Sequence, residues 1–89
     1  MFEFDFSDDF RKVFEKLSKR EPVIARAVNR KVKEIIARDE KAYKNLSHDM
    51  GHLKRVHITE WFVLTFEVRL SESFILLVGI APRDEVYKR

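Results

Sequence analysis

At 89 residues the chain is expected to form a single domain (1–89) with one modest core, burying roughly 60–65% of its unfolded surface. It has no cysteine, which excludes disulfides and thiolate metal sites, and its longest apolar run, residues 74–81, falls far short of the ~20 residues of a membrane span. The net charge of +3 is unevenly spread: residues 1–10 hold four acids and no base, residues 11–42 eleven bases against five acids, and residues 43–89 seven against six.

The plain reading of the basic excess in residues 11–42 is a solvated helix face; the sharper one is a surface for ribosomal or messenger RNA. Met1-Phe2-Glu3-Phe4-Asp5-Phe6 lacks the basic and apolar regions of a signal peptide, so the expected location is cytoplasmic. Charged residues make up 37% of the chain, Gln is absent and Asn occurs twice, a balance found in heat-adapted proteins.

Phe2, Phe4 and Phe6 alternate with Glu3 and Asp5, which predicts a half-buried strand with the phenylalanines inward. Ser7 followed by Asp8 and Asp9 is a helix start, because the hydroxyl accepts an orphan amide and the acids favour the positive helix end. Phe10, Val13, Phe14 and Leu17 follow at helical spacing, and this helix ends near Lys19. Pro22 suits the first turn of a second helix, with Ile24, Val28, Val32, Ile35 and Ile36 as its apolar stripe and Arg26, Arg30 and Lys33 on other faces.

Residues 44–52 lack periodicity and form the main loop. From Leu53 to Ile58, Leu53, Arg55 and His57 share one strand face, and Val56 and Ile58 the other. In the next strand Phe62, Leu64, Phe66 and Val68 point inward, opposite Trp61, Val63, Thr65 and Glu67. Residues 69–73 make a polar hairpin connection, and Phe74 to Ile80 is apolar on both faces, as in a central strand. The expected fold is α+β: a strand, a two-helix hairpin, then a three-stranded antiparallel meander that completes a sheet with helices on one face. The other face is left for a ligand.

Three stretches give this pattern a family likeness: Tyr43-Lys44-Asn45-Leu46; Lys54-Arg55-Val56-His57-Ile58 with residues 62–68; and Arg83-Asp84-Glu85-Val86-Tyr87. Together they resemble the RelE/ParE toxin superfamily over nearly the whole chain. His57-Ile58 near Trp61 is similar to the histidine-using, YafQ-like branch. The resemblance implies a metal-free, ribosome-dependent mRNA endonuclease without a cofactor. It also implies a cognate antitoxin in a hetero-oligomeric complex, with ribosome and mRNA as further partners and no membrane. Such an antitoxin would lay an amphipathic helix on an apolar groove.

Metal-free RNA cleavage needs a base for the 2′-hydroxyl, cations for the charge on the attacked phosphate, and a proton for the leaving 5′-oxygen. His57 is the candidate base, since imidazole is the side chain that titrates near neutrality. Arg55, about 6–7 Å away along the same strand face, suits the phosphate. Lys44 is a second cation or alternative base. Arg83 matches the family's closing basic position, although a guanidinium is a poor proton donor. Tyr87 could stack on a base, and Lys54 and Trp61 are candidate substrate contacts. A zinc site from His48, His52 and His57 is disfavoured by Gly51, which breaks the helix that His48 and His52 would share.

The chain departs from the family pattern at Ala81, Pro82 and Val63, where family members often carry cations. Two alternatives stay open. One is a non-catalytic or ParE-like member, either a gyrase inhibitor or a protein that only binds its antitoxin. The other is a generic RNA-binding module using the basic helix faces.

Overall fold

A computed structural model describes residues 2–39 and 53–86. In chain order they form strand β1 (Glu3–Phe6), helices α1 (Asp8–Arg20) and α2 (Pro22–Ala37), strands β2 (Leu53–His57), β3 (Phe62–Arg69) and β4 (Phe74–Pro82), and one helical turn, α3 (Arg83–Val86). The fold is α+β as expected, with a mixed four-stranded sheet in the order β1-β4-β3-β2. β2, β3 and β4 make the antiparallel meander, while β1 joins β4 in parallel.

Local chemistry sets these elements. Ser7 caps α1, its hydroxyl accepting from the Phe10 amide at 3.0 Å, and Asp8 and Asp9 complement the helix dipole. Pro22 opens α2, where its missing N–H costs nothing. Phe10 and Leu17 of α1 pack with Ala25, Val28, Val32, Ile35 and Ile36 of α2 against Leu64, Phe66, Val68, Ile75, Leu77 and Ile80 of the sheet. Each of these side chains larger than alanine contributes on the order of 1.5–3 kcal/mol by leaving water.

Three expectations need correction. Phe2 is buried, but Phe4 is 41% exposed, because β1 is an edge strand and Phe4 stands at the rim of the core. The connection after β3 is shorter than residues 69–73. Arg69 still pairs with Phe74, a 3₁₀ turn spans Leu70–Glu72, and Ser73 closes it at φ 50°, in the left-handed region. β4 continues past Ile80 to Pro82, and Arg83 then begins a helical turn.

The β3–β4 ladder contains a β-bulge. Pairing steps from Thr65–Gly79 to Phe66–Leu77, which leaves Val78 as the extra residue. The bulge lets Leu77 and Ile80, three apart, both face the core. It is tied to the start of α1: the Ser7 amide donates to the Leu77 carbonyl at 2.9 Å, and the Ser7 hydroxyl donates to the Val78 carbonyl. One residue thus caps a helix and anchors an irregularity in the central strand.

Candidate functional site

The helices cover one face of the sheet. On the opposite face, strand register aligns side chains in rows. His57, Val63 and Ala81 form one row; Arg55, Thr65 and Gly79 the next; Leu53, Glu67, Leu76 and Asp5 lie beyond the bulge. Leu53, Arg55 and His57 are all exposed, as the alternation of β2 predicts, while Val56 and Ile58 pack toward the core.

The two ends of this face carry different charged groups. At the far end Asp5 and Glu67 are held by arginines: Arg11 Nη2 lies 2.8 Å from Asp5 Oδ1, and Arg69 Nη2 lies 3.0 Å from Glu67 Oε1. The Phe6 amide, 2.7 Å from Asp5 Oδ1, holds the Asp5 carboxyl below its ordinary pKa, and Arg11 adds to the effect. Arg55 and His57 stand at the near end, with Trp61 and Arg83 close by in the fold. The same end also carries the exposed acids Glu60, Asp84 and Glu85, so Arg55 and Arg83 act there as local cations rather than as a net positive field.

The β2–β3 hairpin builds that end. The Ile58 amide donates to the Phe62 carbonyl at 2.9 Å, and the Trp61 amide to the Thr59 hydroxyl at 3.2 Å. Trp61 is thereby held outward, 61% exposed. The Arg83 amide donates to the Trp61 carbonyl at 2.7 Å, and the Arg83 guanidinium lies 5.7 Å from the centre of the Trp61 ring. Because Phe62 pairs with Pro82, these residues adjoin the row that begins at His57.

Of the residues singled out from sequence, His57, Arg55, Trp61 and Arg83 therefore gather at one end of the open face. Lys54 does not: it alternates to the other face of β2, level with Phe66. Lys44 and Tyr87, like His48 and His52, lie outside the described residues. Among the described residues no three His, Asp or Glu side chains are grouped to hold a metal. Val63 and Ala81, where the family pattern carries cations, are direct neighbours beside His57. Val63 is fully buried yet stands outside the core between sheet and helices. Thr65 and Gly79 belong to the same face as Arg55, and sequence reasoning did not single them out; the available signal was a glycine inside an apolar strand.

A second feature lies on the helical side. Phe6, Phe10, Phe14, Val28 and Val32 line an apolar groove of about 420 Å³, rimmed by Arg11, Glu15, Lys19 and Asn29. Its aromatic floor is a stack: Phe6 and Phe10 centroids are 5.1 Å apart, and those of Phe10 and Phe14 are 6.1 Å apart. The groove is remote from the face of Arg55 and His57. Its size and lining suit a packed apolar partner rather than phosphate chemistry.

No family model matches the chain. Over all 89 residues it is 35% identical to a Methanocaldococcus jannaschii protein named "Putative toxin RelE4", of which it covers 94%. The metal-bound toxin from Helicobacter pylori superposes with a TM-score of 0.73 at 18% identity, covering 98% of this chain and all of that one. A chain of the intact E. coli RelBE toxin–antitoxin complex superposes with a TM-score of 0.67 at 14% identity, covering 91% of this chain and 95% of that one. At these identities the structural matches establish the shared fold.

Proposed function

The chain belongs to the RelE toxin family, and from that premise we propose that it is the toxin of a toxin–antitoxin pair and cuts messenger RNA on the ribosome. The observation that carries the proposal is the shared exposed face of Arg55 and His57, beside Trp61 and Arg83. The reaction is attack of a 2′-hydroxyl on the adjacent phosphate, breaking the P–O5′ bond and leaving a cyclic phosphate and a 5′-hydroxyl. His57 takes the hydroxyl proton, and solvent water gives the departing 5′-oxygen the proton that makes it a hydroxyl. Arg55 holds the phosphate oxygens as negative charge builds on them, an interaction that strengthens in the transition state. Arg83 supplies a second positive charge, and Lys44 and Tyr87 complete the set as a further cation and a stacking or orienting group. No metal or cofactor is required.

The antitoxin is the proposed occupant of the groove lined by Phe6, Phe10, Phe14, Val28 and Val32. An amphipathic helix whose apolar stripe covers these rings, with acids facing Arg11 and Lys19, fits its chemistry. The resulting complex is hetero-oligomeric, and the site acts in the cytoplasm, where translating ribosomes are.

Mapping transcript 5′ ends on translating ribosomes tests the catalytic reading. Wild-type protein should create new ends within the ribosomal A-site codon. His57→Ala should slow cleavage by ~10²-fold or more, the range for loss of a general base. Cleavage that survives the pair His57→Ala and Arg55→Ala would remove this assignment.

A further inference from the structure

Gly79 is a glycine in the middle of a central strand, where glycine costs about 0.5–1 kcal/mol relative to alanine. Three structural reasons commonly justify such a residue: an adjoining bulge, a positive φ and a close approach of other atoms. The bulge at Val78 adjoins Gly79, and among the described residues the other two do not apply. No described glycine has a positive φ, so the backbone at Gly79 is open to any L-residue. A methyl group built on Gly79 meets no described atom within 4 Å, so no described strand or side chain requires its absence. Among the described residues nothing fills the space above Gly79, which lies on the face of Arg55 and His57.

The surroundings give that space a chemistry. Gly79 is in register with Thr65, and Thr65 with Arg55, so backbone floor, hydroxyl and cation cross the sheet in one line. Two strand spacings separate Gly79 from Arg55, about 10 Å. The His57 row flanks the line on one side. On the other the bulge at Val78 interrupts the ladder, and bulges recur beside functional sites because they re-aim the neighbouring positions.

We infer that Gly79 is the floor of a nucleobase seat: one base of the bound RNA lies flat over the Gly79 backbone, beside the Thr65 hydroxyl, with its phosphate directed toward Arg55 and His57. The inference rests on the RNA reading above and adds a residue to it. Flat groups approach a glycine backbone more closely than any other, which orients the nucleotide before the proton is moved. Gly79 is a positioning residue in this scheme. It contributes no charge and moves no proton.

The test uses the full chain with Gly79→Ala and Gly79→Val, read by thermal unfolding, by binding of a short single-stranded oligoribonucleotide, and by cleavage on translating ribosomes. Gly79→Ala should unfold at or above the wild-type temperature, since its Cβ meets no described atom, and Gly79→Val should stay folded because valine favours strands. Oligonucleotide binding should weaken in order of side-chain size, ~10-fold or more for Gly79→Val, with KM for cleavage rising and kcat changing less. A folded Gly79→Val that binds RNA as wild type does would overturn the seat. So would a Gly79→Ala whose unfolding temperature falls by several degrees, because the glycine would then be structural. RNA binding by wild type that Gly79→Val weakens, without cleavage by wild type, would uphold the seat and remove the nuclease reading. Cleavage with unchanged KM in Gly79→Val would do the reverse, and a wild-type chain that neither binds nor cuts RNA would remove both.

Discussion

Arg83 is joined to Trp61 twice, through its backbone amide to the Trp61 carbonyl at 2.7 Å and through its guanidinium 5.7 Å from the indole centre. The two residues are far apart in sequence and belong to different hairpin ends, so the contact fixes the start of α3 against the β2–β3 connection. It also biases the cation toward a place beside the row of His57.

Trp61→Ala should therefore act on Arg83. An exposed cation–π contact is worth about 0.5–1 kcal/mol, so stability should change little. Cleavage should fall roughly 10-fold as the second cation loses its position. Trp61→Phe should recover part of the loss, because a smaller ring still attracts the guanidinium. Unfolding curves and cleavage rates measured on the same preparations check this; an unaltered rate in a folded Trp61→Ala would assign the tryptophan no part in the site.

Much of this organisation was legible in the residues themselves. The alternation of Phe2, Phe4 and Phe6, the cap at Ser7, Pro22 and the split of β2 into Arg55–His57 and Val56–Ile58 faces are local patterns, and local patterns dictate local structure. What escaped depends on distant pairing. The parallel partnership of β1 with β4 explains why Phe4 reaches the rim, and nothing within residues 2–6 encodes it. The bulge at Val78 sets which residues stand beside Arg55, and it arises where Ser7 binds the Leu77 and Val78 carbonyls across 70 residues of sequence. Lys54 belongs to the basic stretch that carries the family likeness, but a period of two places it on the face opposite Arg55.

Ser7→Ala should cost more than an ordinary cap. Loss of the helix cap alone typically costs about 1 kcal/mol, and the Val78 carbonyl would also lose its donor. A total of about 2 kcal/mol corresponds to a drop of roughly 8–16 °C in a domain of this size. Thermal unfolding gives the number, and amide exchange at residues 77–79 reports whether the bulge loosens with it. Ser7→Thr should keep most of the stability.

The groove can be probed without disturbing the core at Asn29, which lines it and is exposed. Asn29→Glu places a carboxylate at the edge of an apolar seat, where a bound helix would have to bury or repel it. Stability should stay within about 0.5 kcal/mol of wild type. Affinity for the cognate antitoxin should fall ~10-fold or more, while cleavage by the free toxin should stay unchanged because the groove and the Arg55 face are separate. Calorimetric titration and cleavage assays distinguish the two surfaces; wild-type affinity in this variant would place the antitoxin elsewhere.

In the proposed mechanism the row His57–Val63–Ala81 sets the limit on the chemistry, because two apolar residues stand beside the proposed base. They are not equivalent. Val63 is fully buried, so Val63→Arg forces a charge into an apolar site and should destabilise the fold by about 2–4 kcal/mol. Ala81 is only half-buried and lies next to the strand end, where a long side chain can carry its guanidinium out to the open face. Ala81→Arg should leave unfolding within a few degrees of wild type and raise the cleavage rate ~10-fold by adding positive charge at the transition state. Ala81→Leu, with bulk and no charge, should give no increase. A folded Ala81→Arg that cuts no faster than wild type would show that cationic charge beside His57 does not limit the rate, and would move the explanation for any weak activity to proton donation at the 5′-oxygen.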